Sequence, residues 1–245
     1  MGLSRPNETG IYATPTTATQ LCDPSSLGQV AQDMTVFGQR MQLLLDAQPV
    51  YAPSAYQSLV RYIVERYATG FLESGSHKQW VGLLNDLIRY FRSLCVWRQF
   101  DFSKQRGGWY TRNAKLRHSR ILNYAGLLFL LGESSKHGGD KVDWLTDRLI
   151  LTPLERIAWL YMANGDKHFC RIAEACDRFV GAFSDASLRA ALADSAPRDV
   201  NELSQDVPEY QKLHTNSRRL MSELLRFVLA RRGDWDDRFF EYMIF

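Results

Sequence analysis

The spacing of the apolar residues sets the strongest limit on the fold of this chain. Apolar side chains recur three and four positions apart over most of its length, which places them on one face of an α-helix. No segment shows the strict apolar–polar alternation of a half-buried strand, and no repeat of fixed period is present. We therefore predict an all-α fold, an irregular bundle of about seven to eight helices.

Caps, prolines and glycines give the approximate ends of these helices. Ser25 or Ser26 caps the first, and Pro53 precedes the second. Thr152, Pro153 and Glu155 together form a capping box with proline in the first turn. The predicted helices cover residues 25–48, 54–70 or 54–75, 76–102, 111–132, 152–164, 166–180 and 209–232.

The same signals suggest a division of the chain into parts. Residues 1–24 contain scattered Pro, Gly and Thr and read as an extended or flexible N-terminal arm. Residues 25–134 form a first helical half. Residues 135–150 begin with a polar, glycine-containing stretch and are the predicted linker region. Residues 151–245 form the C-terminal helical half.

Composition excludes several classes of protein. An aromatic content of 12% is too high for a chain that is mainly disordered, and four Cys in 245 residues cannot hold a disulfide scaffold. No apolar run approaches the roughly 18 residues that a bilayer span needs. We expect a cytoplasmic protein without membrane contact, with four buried, reduced thiols. Because His168, Cys170 and Cys176 have no second close-spaced ligand pair, we expect no metal site and no cofactor.

The net charge of +3 hides a strong local imbalance. The stretch from Arg89 to Arg120 contains nine basic residues and one acidic residue, Asp101. This basic segment therefore carries a formal charge of +8, and the rest of the chain carries −5. Seven aromatic residues are interleaved with these cations. They are Tyr90, Phe91, Trp97, Phe100, Phe102, Trp109 and Tyr110, of which Phe91 and Trp97 fit the inward face of the third helix together with Leu94.

Cations mixed with aromatic rings are typical of surfaces that bind single-stranded nucleic acid. Guanidinium groups neutralise phosphates, and exposed rings stack on bases of any sequence. Gly107 and Gly108 would let the backbone approach a phosphodiester closely. We therefore expect RNA or single-stranded DNA as the partner, with Trp109 and Tyr110 as stacking rings. The expected phosphate contacts are Arg92, Arg98, Lys104, Arg106, Arg112, Lys115, Arg117 and Arg120.

The segment from Arg112 to His118 carries a second possibility. Arg112 is followed by the polar Asn113, and His118 lies six positions after the arginine. This pattern resembles the motif of the HEPN-type helical ribonucleases, helical bundles that usually dimerise. The resemblance implies a metal-independent endoribonuclease in which His118 assists proton transfer, Arg112 stabilises the charge on the phosphorus, and Asn113 orients both.

Three hypotheses about function remain from the sequence. The favoured one is a non-catalytic nucleic-acid-binding protein that serves as a subunit of a nucleoprotein assembly. The second is the ribonuclease just described. The third is a protein-interaction adaptor or inhibitor whose basic face docks on an acidic partner. The alternative to all three is that the cations of the basic segment are only solvated or paired with acids of the same chain. We interpret a smaller basic cluster on the last long helix as structural, because Asp234, Asp236 and Asp237 follow it and can pair with its arginines.

Overall fold

A computed structural model describes residues 14–23, 27, 32–68, 80–104, 107–137, 140–195 and 207–244. All the regular structure in this part of the chain is helical. The helices are α1 (Ala18–Leu21), α2 (Met34–Asp46), α3 (Pro53–Tyr67), α4 (Val81–Ser103), α5 (Trp109–Lys115), a π-helical segment (Leu116–Arg120), α6 (Ile121–Ser134), α7 (Lys141–Leu149), α8 (Pro153–Ala163), α9 (Phe169–Ser184), α10 (Ala186–Asp194), α11 (Pro208–Ala230) and α12 (Asp237–Ile244).

The all-α prediction is confirmed, and so is the irregular arrangement, but the number of helices is wrong. With α5, the π segment and α6 taken as one continuous helix, the described residues form eleven helices rather than seven or eight. Short helices account for the difference. Asp140 and Asp185 cap two of them, α7 and α10, by accepting hydrogen bonds from backbone amides two and three positions ahead.

Helix starts agree with the sequence where proline marks them. α3 begins at Pro53, one residue before the predicted start at Ser54, and α8 begins at Pro153, the predicted first-turn proline. The start of α2 was predicted too early, because the helix begins at Met34, where Asp33 Oδ1 accepts hydrogen bonds from two first-turn amides. Ser25 and Ser26 lie outside the described residues.

Two compact units are formed from interleaved stretches of the chain. Unit 1 comprises residues 1–90, 130–152 and 236–245, and unit 2 comprises residues 91–129 and 153–235. The sequence instead predicted two helical halves joined by a linker region at residues 135–150. Most of that region is α7, which packs on α3 in unit 1.

Unit 1 is built around a buried polar cluster. The Arg40 and Asp86 side chains are fully buried, with Arg40 Nη2 3.9 Å from Asp86 Oδ2. Tyr67 donates its hydroxyl hydrogen bond to the same carboxylate at 2.7 Å, and Arg89 donates at 3.2 Å to the other oxygen. Burial and the Asp86 charge raise the pKa of Tyr67 well above its usual value. The two arginines and the Tyr67 hydroxyl thus compensate the buried charge of Asp86.

The described part of the predicted N-terminal arm also belongs to unit 1. Gln39 of α2 donates a hydrogen bond to the Thr14 carbonyl at 2.9 Å, and Leu21 and Cys22 are buried. This stretch therefore packs on α2. Residues 1–13 of the predicted arm lie outside the described residues.

The thiols differ from expectation. Cys22 is buried and Cys176 is half-buried, but Cys95 and Cys170 are exposed, so the prediction of four buried thiols is wrong for two of them. Burial raises the pKa of Cys176 to about 11. Among the described helices, none has both the length and the apolar character to cross a bilayer.

Candidate nucleic-acid interface

The basic segment predicted from the sequence folds largely into an antiparallel helical pair within unit 2. The C-terminal half of α4 forms one arm, and α5, the π segment and the start of α6 form the other. Trp109 Nε1 donates to the Arg98 carbonyl at 2.9 Å near the connection, and Phe91 stacks on Tyr124 at 4.5 Å further along. Arg89 is the exception, because it belongs to unit 1.

Asp101, the only acidic residue of the basic segment, forms ion pairs with two of the predicted phosphate ligands, Arg98 and Arg112. Asp101 is buried, and its Oδ2 lies 2.6 Å from Arg98 Nη1 and 3.4 Å from Arg112 Nε. Burial lowers the pKa of Arg98, whose side chain is mostly inside the unit. Arg98 is therefore a structural residue, and Arg112 is partly neutralised by the same carboxylate.

The two predicted stacking rings lie inside the protein. Trp109 is 5% exposed and Tyr110 0%, and both pack edge-on against Tyr210 or each other in an apolar core cluster of unit 2. Gly108 adopts a φ of +69°, and this left-handed turn directs α5 into that core. The prediction that Trp109 and Tyr110 stack on bases is therefore wrong.

His118, the proposed catalytic base, is also buried. Its ring stacks on Phe179 with centroids 4.3 Å apart. The Ala114 carbonyl can only accept, so Nδ1 must donate that 2.8 Å hydrogen bond, and Nε2 then accepts from Asn216 at 3.2 Å. Burial lowers the pKa of His118 to about 4, so the ring is neutral at pH 7.

The other members of the ribonuclease motif have separate partners. Asn113 Nδ2 donates to the Tyr210 hydroxyl, while Arg112 pairs with Asp101. The three motif side chains therefore do not converge on one exposed point. Both ring nitrogens of His118 are occupied, which leaves no position from which it could exchange a proton with a bound phosphodiester.

The remaining predicted phosphate ligands differ in exposure. Arg92, Lys104 and Lys115 are exposed. Arg117 and Arg120 are half-buried, and Arg117 Nε donates to Ser217 Oγ, a neutral acceptor, at 2.8 Å. Arg106 lies outside the described residues. Positive charge thus reaches the surface at fewer places than the sequence predicted.

The exposed aromatic rings of the basic segment are on α4 instead. Trp97 is 60% exposed and Phe100 62%, with the exposed Val96 beside them. Arg92 lies about one helical turn before Val96, and Lys104 follows Phe100 by four residues, directly after the end of α4, so the two cations flank these residues along the chain. The assignment of Trp97 to the inward face is wrong. We call Arg92, Val96, Trp97, Phe100 and Lys104 the α4 face.

The smaller basic cluster on α11 is structural only in part. Arg226 and Arg231 lie 3.0 Å and 3.8 Å from Asp166 Oδ2, and Arg231 also pairs with Asp234, as predicted. Arg218 and Arg219 are exposed and make no ion pair with any described residue. No feature of the sequence separates these two pairs of arginines.

Charge divides sharply between the two units. Unit 2 contains 20 Lys and Arg residues against 13 Asp and Glu, a formal net of +7, whereas unit 1 contains 10 against 14, a net of −4. The excess positive charge of the chain therefore belongs to unit 2, which also carries the α4 face. Comparison with protein-family models, curated proteins and solved structures finds no match for this chain.

Proposed function

We propose that this protein binds RNA or single-stranded DNA through unit 2, without cleaving it, as a subunit of a nucleoprotein assembly. The observation that carries the proposal is the α4 face, where two exposed aromatic rings lie between two exposed cations. Bases stack on such rings whatever their sequence, and the cations neutralise the phosphates on either side. The net charge of +7 on unit 2 favours the approach of a polyanion.

Binding rather than cleavage is the better match to the arrangement of His118. A general base must reach the proton that it abstracts, and a neutral imidazole with both nitrogens bonded inside the core cannot do so. Labelled RNA incubated with the protein in chelator should therefore stay intact. His118→Ala and the wild-type protein should give the same result.

The stacking part of the proposal is tested by removing one ring. Trp97→Ala should weaken binding of a fluorescein-labelled oligouridine about tenfold in fluorescence anisotropy, since one stacked base contributes about 1–3 kcal/mol. Tyr51→Ala is the matched control, because Tyr51 is 91% exposed and lies in unit 1. Equal affinities for the two variants and the wild type would contradict a stacking role for Trp97.

The wild-type protein itself gives the broadest test. Purified before any nuclease treatment, it should show a high 260/280 nm absorbance ratio from copurified nucleic acid. A labelled oligouridine and a labelled poly-glutamate of equal charge should then be compared. Stronger binding to poly-glutamate would overturn the proposal in favour of an acidic protein partner.

A further inference from the structure

A groove with a volume of about 990 Å³ lies in unit 2, lined entirely by α9 and α11. The two helices are in direct contact beneath it, where Asn216 Nδ2 donates to the Ala175 carbonyl at 2.8 Å. The groove lies outside the basic segment of the sequence. None of the residues of the α4 face lines it.

Cations predominate among the charged side chains that line this groove. Four arginines are present against two glutamates. Arg171 is held by Glu223 at 2.8 Å, whereas Arg178 approaches Glu174 only to 3.7 Å, with both side chains more than half exposed. Such an exposed pair contributes little, so Arg178 is available to a ligand.

Arg218 and Arg219 supply the unneutralised charge. Both are exposed, and neither makes an ion pair or hydrogen bond with any other described residue. They are consecutive in α11, and both side chains line the groove. A guanidinium offers a planar fork of donors that matches the oxygens of a phosphate.

The groove continues into a second cavity of about 1070 Å³ between α9, α10 and α11. Arg178 and Arg219 line both cavities, and in the second they are joined by Lys212 and by two carboxylates, Asp185 and Glu209. The lining residues of α11 run from Pro208 to Glu223, which at 1.5 Å per residue spans about 22 Å. This length is suited to a chain of phosphates rather than to one phosphate ion.

We propose that the groove between α9 and α11 binds the phosphate backbone of a single nucleic-acid strand, with Arg178, Arg218 and Arg219 as its main ligands. This inference rests on the proposed function and adds a second contact to the α4 face. A single strand is preferred over a duplex because the exposed rings of the α4 face can stack only on unpaired bases.

His214 provides a reporter inside the groove. It lies near Arg117 of the π segment and Arg218 of its own helix, and Tyr210, Arg171, Glu174 and Arg178 line the same groove. Burial and the two nearby arginines lower the pKa of His214. A phosphate bound among these groups must raise it again, because the anion stabilises the protonated ring.

The test compares two double variants of the full chain that remove equal charge. Arg218→Gln with Arg219→Gln should weaken binding of the labelled oligouridine about tenfold at moderate salt. It should also reduce the slope of log affinity against log salt by about 1.4, or about 0.7 for each phosphate contact. Lys167→Gln with Arg238→Gln, two exposed cations outside the groove, should change affinity less than threefold.

Failure of this inference can be told apart from failure of the proposed function. If the wild type binds and Arg218→Gln with Arg219→Gln binds equally well, the groove is not a site, while the α4 face still stands. If the wild type binds no oligouridine, both proposals fall. In NMR titrations of the wild type, the pKa of His214 should rise when oligouridine is added, and an unchanged value in a bound complex would overturn the groove assignment.

Discussion

At the scale of single residues, His118 shows how far a motif in the sequence can mislead. Its distance from Arg112 in the sequence matches the ribonuclease pattern, but its chemistry depends on which way the ring faces. The π segment that contains His118 has an extra residue in its turn, so faces assigned from a 3.6-residue period shift there. Sequence spacing alone could not predict that the ring points into the core.

The burial of His118 predicts a specific loss of stability in acid. Its pKa is about 4 in the folded protein against 6.5 for the free side chain, so folding favours the neutral ring. The stabilisation is complete above pH 6.5 and is lost as the pH falls towards 4. At pH 4.5 this loss amounts to about 2.5 kcal/mol of the free energy of unfolding.

His118→Phe isolates this contribution, because phenylalanine keeps the stack on Phe179 but cannot be protonated. Urea unfolding at pH 7 and pH 4.5 should show that the wild type loses about 2.5 kcal/mol more than the variant. The other histidines and the carboxylates titrate in both proteins and cancel in the comparison. Parallel pH profiles would mean that His118 is accessible to protons in the folded state.

At the scale of elements, the helices with strong local signals are the predictable ones. Pro53 and Pro153 mark helix starts in the sequence and in the structure. α7 and α10 are nine residues each, too short for a clear apolar period, and their capping residues Asp140 and Asp185 were the only signals available. The exposure of Trp97 depends on which face of α4 meets its neighbours, and the inward face continues through Arg98 and Asp101 instead.

Two glycines in helices of unit 2 should respond in opposite directions to alanine. A Cβ at Gly126 in α6 would lie 3.0 Å from the Pro153 carbonyl oxygen and 3.3 Å from its Cα, and backbone atoms cannot rotate away. Gly126→Ala should therefore destabilise by about 1–2 kcal/mol, because the overpacking outweighs the gain in helix propensity.

Gly181 is the matched case, since it lies within α9 and a Cβ there would meet no atom within 4 Å. Gly181→Ala should stabilise by about 0.5–1 kcal/mol through helix propensity alone. Thermal or urea unfolding of both variants measures the difference. If Gly126→Ala is also stabilising, α6 does not pack on the start of α8 as closely as the structure describes.

At the scale of the whole molecule, the sequence located the charge imbalance but not its distribution. Nine cations in one stretch suggested a continuous basic surface, yet Asp101 and Asp86 hold three of them. The excess charge of unit 2 also comes from α11, which is distant in the sequence. Only the packing of α9 against α11 brings Arg178 into one groove with Arg218 and Arg219.

Charge separation between the units predicts which lysines a bound strand will cover. Lys104, Lys115 and Lys212 are exposed cations of unit 2 and lie in the α4 face, on α5 and in the groove, respectively. Lys136 and Lys141 belong to unit 1, where they bond to Glu133 and to the Ser134 carbonyl at 2.8 Å each. A polyanion attracted by positive charge should shield the first group and not the second.

Acetylation of the whole protein with and without oligouridine, read by mass spectrometry, measures this shielding. At saturating oligouridine the rates at Lys104 and Lys212 should fall severalfold, while those at Lys136 and Lys141 should stay unchanged. Lys167, an exposed lysine of unit 2 outside the groove, serves as the internal control. Protection at Lys104 without protection at Lys212 would limit binding to the α4 face, and protection centred on unit 1 would contradict electrostatic recruitment by unit 2.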